Sequence, residues 1–103
     1  MDMAQLQQWI GREEWREDVL TPALVERFNA TFDRPPPPDP AIAPPLVHLC
    51  LALPAAATAD LGPDGHPARG GFLPPVPLPR RMWDGGSFAF RAPLRIGETV
   101  THH

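Results

Sequence analysis

The stretch Ser87-Phe88-Ala89-Phe90-Arg91-Ala92-Pro93-Leu94-Arg95-Ile96-Gly97-Glu98-Thr99-Val100-Thr101 decides the fold. Successive side chains of an extended chain point to opposite faces, so Phe88 and Phe90 share one face while Ser87 and Arg91 take the other. The alternation predicts a strand over 87–92. Pro93 to Gly97 then reads as a connection, and Glu98-Thr99-Val100-Thr101 as the start of a return strand. Such a hairpin has no third strand after it, and isolated hairpins are marginal in water. The expectation is an incomplete domain whose sheet needs further strands.

Upstream the character changes twice. Residues 35–79 hold 14 of the 16 prolines and a single Arg, and read as loop. Pro63-Asp64-Gly65 is a turn, and Gly70-Gly71 a flexible or close-packed point. Leu46 to Leu53 (LVHLCLAL) is apolar on both sides and bounded by prolines. It reads as a buried strand or a short buried helix, and periodicity does not choose between them. Residues 1–34 are charged, with seven acids against four Arg. Asp2 followed by Gln5 has a capping-box pattern. It opens a helix with Met3, Leu6 and Ile10 on one stripe and Trp9 beside it, which Gly11 ends in the left-handed region. Arg12 to Leu20 reads as extended. Thr21-Pro22 starts a second helix, a hydroxyl cap before a proline whose missing N–H costs nothing there. Leu24, Val25, Phe28 and Phe32 share its buried face, and it should run to about Asp33. Pro35 to Pro38 end it.

Composition narrows the function. One hundred and three residues are enough for one domain at most. The 16 Pro and 8 Gly stop just short of a low-complexity chain, while a 43% hydrophobic content with three Trp and five Phe demands burial. A net charge of −3 is wrong for a general grip on nucleic acid. No apolar run reaches the roughly 20 residues of a membrane span, and Asp2 is the wrong charge for a secretory leader. A single Cys, Cys50, excludes an internal disulfide and fits the reducing cytoplasm.

One long block carries more than composition: Gly70-Gly71-Phe72-Leu73-Pro74-Pro75-Val76-Pro77-Leu78-Pro79-Arg80-Arg81-Met82-Trp83, followed by Gly85-Gly86. With Trp9-Ile10-Gly11-Arg12, Thr21-Pro22-Ala23 and Leu61-Gly62-Pro63-Asp64-Gly65-His66-Pro67, it resembles the N-terminal half of MaoC-like acyl-thioester dehydratases, close to the 3-methylfumaryl-CoA (mesaconyl-CoA) hydratases. The resemblance runs from about Leu6 to Val100. It implies an α+β fold, a partial hot dog in which an antiparallel sheet wraps a helix, truncated after its first strands and carrying a long proline-rich loop. On this reading residues 1–103 are one incomplete N-terminal hot-dog domain: helices and an extended segment over 1–34, the proline-rich segment over 35–79, and the start of the sheet over 80–103.

The same resemblance implies a hydro-lyase acting on enoyl- or 3-hydroxyacyl-CoA thioesters, with no cofactor. Its Asp and His, the His five positions after the Asp, belong to a C-terminal hot dog. No Asp of this chain has a His at that offset, and Asp64-Gly65-His66 is too close. No catalytic residue is therefore expected here. The partner expected is a C-terminal hot-dog half, from roughly 150 further residues, or a second copy of the chain.

For substrate binding, Arg80 and Arg81 suit carboxylate and phosphate, since a guanidinium meets both bidentately. Their ordinary alternative is pairing with Asp84 or with acids of the first segment, or plain exposure. Trp83 is a candidate wall of an acyl pocket or a core residue. Gly85 and Gly86 permit close backbone approach or a bulge before the strand. His48 and Cys50 would share a face of a strand, yet a Cys in an apolar run is ordinarily a small core residue. His102 and His103 lack the further ligands a metal needs and read as an exposed tail. Pro74 and Pro77 have the P-x-x-P spacing of a polyproline ligand, a noncatalytic alternative, but the basic anchor position falls on Pro79; an inactive truncated gene product is the other alternative.

Overall fold

The computed structural model describes residues 1–103. Its elements are helix α1 (Met3–Gln7), strand β1 (Arg16–Val19), helix α2 (Pro22–Thr31) and strand β2 (Thr99–His102), with 3-10 turns at Val47–Cys50 and Thr58–Asp60. The chain divides into two compact units, each made of two separate stretches. One comprises Met1–Glu14 and Pro54–Gly86, the other Trp15–Leu53 and Ser87–His103.

The second unit contains every buried hydrophobic residue of the chain. Thr21 caps α2 through its side-chain oxygen, which accepts from the Leu24 amide at 3.2 Å, and Pro22 occupies the first turn. The cap turns Val25 inward. It joins Leu20, Ala43, Val47 and Leu51 in the core, with Leu24, Phe28, Leu94, Ile96 and Val100 packed against them. Phe32, placed on the buried face by the spacing, is instead exposed beyond the last helical residue.

The sheet corrects the predicted hairpin. β2 pairs antiparallel with β1, Arg16 opposite His102 and Val19 opposite Thr99. Residues 87–92 form neither strand nor helix. The extended reading of Arg12 to Leu20 thus supplied the partner that the C-terminal segment was expected to find in Phe88–Ala92. The ladder continues as main-chain bonds from the Leu20 amide to the Glu98 carbonyl (3.0 Å) and from the Gly97 amide to the Leu20 carbonyl (2.7 Å). Gly97, at φ +95°, makes the bend these bonds require. Two more bonds, Ala43 N–H to Leu94 (2.8 Å) and Ile96 N–H to Ala41 (2.9 Å), fasten the proline-bounded segment to the approach to β2. His102 is therefore a strand residue, and the His103 ring stacks on Trp15 at 4.5 Å. Both histidines are exposed, as expected, but they sit at an ordered strand end and not on a free tail.

Leu46–Leu53 is neither a continuous strand nor a buried helix. Leu46 takes φ +74°, a 3-10 turn follows over Val47–Cys50, and Ala52 takes φ +52°. Asp18 stabilises this exit by accepting the Ala52 amide at 2.9 Å. Val47, Leu51 and Ala52 point inward while Cys50 is exposed, so Cys50 is not the core residue expected of it.

The first unit is held mainly by polar contacts to loop carbonyls. Asp2 caps α1 as predicted, accepting the Gln5 amide at 3.2 Å, but the Met3–Ile10 stripe stays unburied, with Met3 and Ile10 exposed. Gly11, at φ +86°, turns the chain after α1. Trp9 and Arg12 then reach the same acceptor, the Gly71 carbonyl, at 2.9 and 2.7 Å, and the Arg12 guanidinium lies 4.2 Å from the Trp9 ring centre. Arg69 Nη1 donates to the carbonyls of Val76 (2.6 Å) and Leu78. These bonds give the Pro74–Pro79 segment a fixed place.

Candidate functional site

Each unit carries a groove of its own. In the first, the turn at Leu61–Pro67 is closed by main-chain bonds, Gly62 N–H to His66 (2.7 Å) and Gly65 N–H to Gly62 (3.0 Å), with Gly65 at φ +79°. Asp64 caps it, one carboxylate oxygen accepting the His66 amide at 3.0 Å. The other lies 3.4 Å from Arg81 Nε. The His66 amide first, and the Arg81 guanidinium after it, hold the Asp64 carboxyl below its ordinary value, because both stabilise the charged form. This turn borders a groove of about 260 Å³ whose lining includes Asp64, Arg69 and Arg81.

The five predicted binding residues fall on 80–86, a stretch with no helix or strand. Arg81 finds Asp64, an acid other than the Asp84 or first-segment partners considered from sequence. Arg80 is exposed and is not part of the groove lining. Trp83 is 77% exposed, so it is not a core residue of its unit. Its ring crosses Gly86, where an added Cβ would meet Trp83 Cζ2 at 3.5 Å, while Gly85 faces open space. Neither glycine is therefore forced by a close approach, since 3.5 Å is an ordinary van der Waals contact that a Cβ could make.

In the second unit, residues 42–48 and 87–94 enclose a groove of about 630 Å³, a volume that accommodates a small organic ligand. Three rings meet in its wall. His48 stands edge-on to Phe88 at 5.6 Å and to Phe90 at 5.9 Å, and the two Phe rings lie 6.3 Å apart. Both Phe side chains remain about half exposed, at 47% and 56%. This surface suits apolar or flat groups. Sequence reading put Phe88 and Phe90 on one face but assigned them to a strand, and nothing local joined them to His48. His48 and Cys50 form no nucleophilic pair, since the 3-10 turn leaves Cys50 exposed and turns His48 to the phenylalanines.

No cluster of three or more His, Cys, Asp or Glu is placed to hold a metal ion. No helix is long and apolar enough to cross a membrane.

Residues 46–103, which include the whole 630 Å³ groove edge from Ser87 onward, match the hydroxyacyl-thioester dehydratase type 2 family, and the chain belongs to that family. It is similar to the mesaconyl-C(4)-CoA hydratase of Chloroflexus aurantiacus, with 44% identity over 100 residues. That similarity covers 95% of this chain but 36% of the hydratase, so the chain spans about a third of its relative.

Proposed function

We propose that this chain is the substrate-shaping portion of a hydro-lyase that adds water to, or removes it from, an enoyl- or 3-hydroxyacyl-CoA thioester resembling 3-methylfumaryl-CoA. The observation that carries the reading is the 44% identity across nearly the whole chain to a hydratase of which it spans only 36%. Hydration needs one group to activate water toward the β-carbon and a proton for the α-carbon. No Asp of this sequence has a His five positions on, the spacing that the MaoC-like resemblance implies for that pair. The acid–base chemistry then comes from a C-terminal hot-dog half, on the same or a separate polypeptide, or from assembly with a second copy.

The helix and two-stranded sheet of the second unit are, on this reading, part of the first hot dog of that scaffold. Arg80 and Arg81 bind anionic groups of the thioester, Trp83 with Gly86 shapes an apolar wall, and Gly85 leaves room beside it. The reaction requires no cofactor and would take place in the cytoplasm, with neither nucleic acid nor a membrane as partner.

The test is a chimera in which this chain replaces the matching third of the Chloroflexus hydratase. The chimera should hydrate mesaconyl-C(4)-CoA while the 103-residue chain alone does not. A folded chimera without activity, or turnover by the chain alone, refutes the proposal.

A further inference from the structure

The groove beside the Asp64 turn contains two guanidinium groups, each already held from one side. Arg81 meets Asp64 through Nε, and its two terminal nitrogens make no hydrogen bond to the protein. A guanidinium gripped at Nε still offers the end-on pair of N–H donors that matches the two oxygens of a carboxylate or phosphate. Arg69 is pinned through Nη1 to two loop carbonyls, which fixes its charge at the groove without neutralising it. Asp64 is the one acid in the lining, against two Arg, and from Gly65 to Trp83 the sequence has three Arg and no acid. Pro67, Leu78 and Pro79 add apolar surface to the groove lining. At about 260 Å³ the groove has room for an anionic head group and not for a whole coenzyme.

We propose that this groove is an oxyanion site in which Arg81, steadied by Asp64, takes a carboxylate or phosphate through its terminal nitrogens while Arg69 supplies the second positive charge. The inference deepens the proposed function, on which it rests for the identity of the molecule that bears the anion. Arg81 would touch the ligand. Asp64 is a positioning residue that acts through it.

The chain is titrated separately with mesaconate, for a free carboxylate, and with adenosine 3′,5′-bisphosphate, for the phosphates of coenzyme A. Binding is followed by the amide resonances of Gly65, His66, Arg69 and Arg81. Saturable shifts confined to this turn are expected with at least one ligand, and the tighter of the two identifies the source of the anion. Arg81→Gln should weaken that binding about tenfold or more, the usual scale for losing a charge-assisted pair of bonds. Arg81→Lys, which keeps charge and fold but lacks the fork, should weaken it less but measurably. Arg27→Gln makes the same change of charge at an exposed position of α2 outside the groove lining and should leave affinity within about twofold. Absence of saturable shifts with either ligand overturns the proposal. So does equal weakening by Arg81→Gln and Arg27→Gln, which would reduce the effect to net charge. An active chimera combined with no anion binding refutes this site alone, whereas anion binding in a folded but inactive chimera refutes only the hydro-lyase reading.

Discussion

Replacing Leu20 by Ala tests whether one small core holds the second unit. Leu20 is 0% exposed, sits between β1 and α2, and packs in the same cluster as Val25 and Val47. Its amide and carbonyl bonds to Glu98 and Gly97 are main-chain bonds and survive the substitution. The loss is therefore that of the side chain alone. Leu→Ala at a fully buried site costs about 2–5 kcal/mol, transfer and residual cavity together. A unit of this size has a total stability of about 3–8 kcal/mol at roughly 0.05–0.15 kcal/mol per residue. Leu20→Ala should leave it partly or wholly unfolded at 25 °C. Leu53→Ala, at a site 63% exposed, should cost less than about 0.5 kcal/mol, the usual range for surface changes. Urea titrations monitored at the Val25 and Val100 amides measure both. Tryptophan emission alone would mix in Trp9 and Trp83 of the other unit. A loss below about 1 kcal/mol for Leu20→Ala, or equal losses for the two variants, would refute a core centred on Leu20.

Thr21→Ala removes the acceptor for the Leu24 amide and should destabilise α2 by about 1 kcal/mol, read as a lower thermal midpoint of the 222 nm signal. Asp64 is held below its ordinary value in the folded chain, so its contribution to the turn is complete above the unfolded carboxylate pKa and disappears as pH falls through the lowered folded value. The His66 amide resonance should follow that acid transition, and Asp64→Asn should abolish it. Arg69→Ala frees the carbonyls of Val76 and Leu78, and limited proteolysis should then cut between Phe72 and Leu78 several times faster, with the Val25 amide unaffected.

What the sequence revealed tracks how local each cause is. The Asp2 and Thr21 caps depend on a residue three positions away, and both are where the pattern puts them. The turn at Asp64 and the left-handed Gly11 are local in the same way. The partner of β2 is not. Thr99–His102 pairs with Arg16–Val19, across most of the chain, and no period within either segment announces it. Phe88 and Phe90 alternate as a strand does, but alternation fixes a face and not a partner, and here the face meets His48. Leu46 at φ +74° is a conformation that leucine's own preferences disfavour, so the break in the LVHLCLAL run was not legible. At the candidate site, guanidinium chemistry drew attention to Arg81 as a candidate for binding an anion, and the structure gives it an ion pair with Asp64. Its partner Asp64 and its neighbour Arg69 emerge only once the loop is closed.

The pairing of β1 with β2 also dictates an order of events during synthesis. β1 and the Leu20 side chain are synthesised long before Thr99–His102, and the larger stretch of the first unit, Pro54–Gly86, lies between them in the chain. A nascent chain must therefore carry the side of this core that Leu94, Ile96 and Val100 cover exposed to wrong associations or to chaperones until the C-terminal segment emerges. Slow, non-local closure of that kind makes the yield of folded protein more sensitive to translation speed and temperature than the modest size of the chain would suggest.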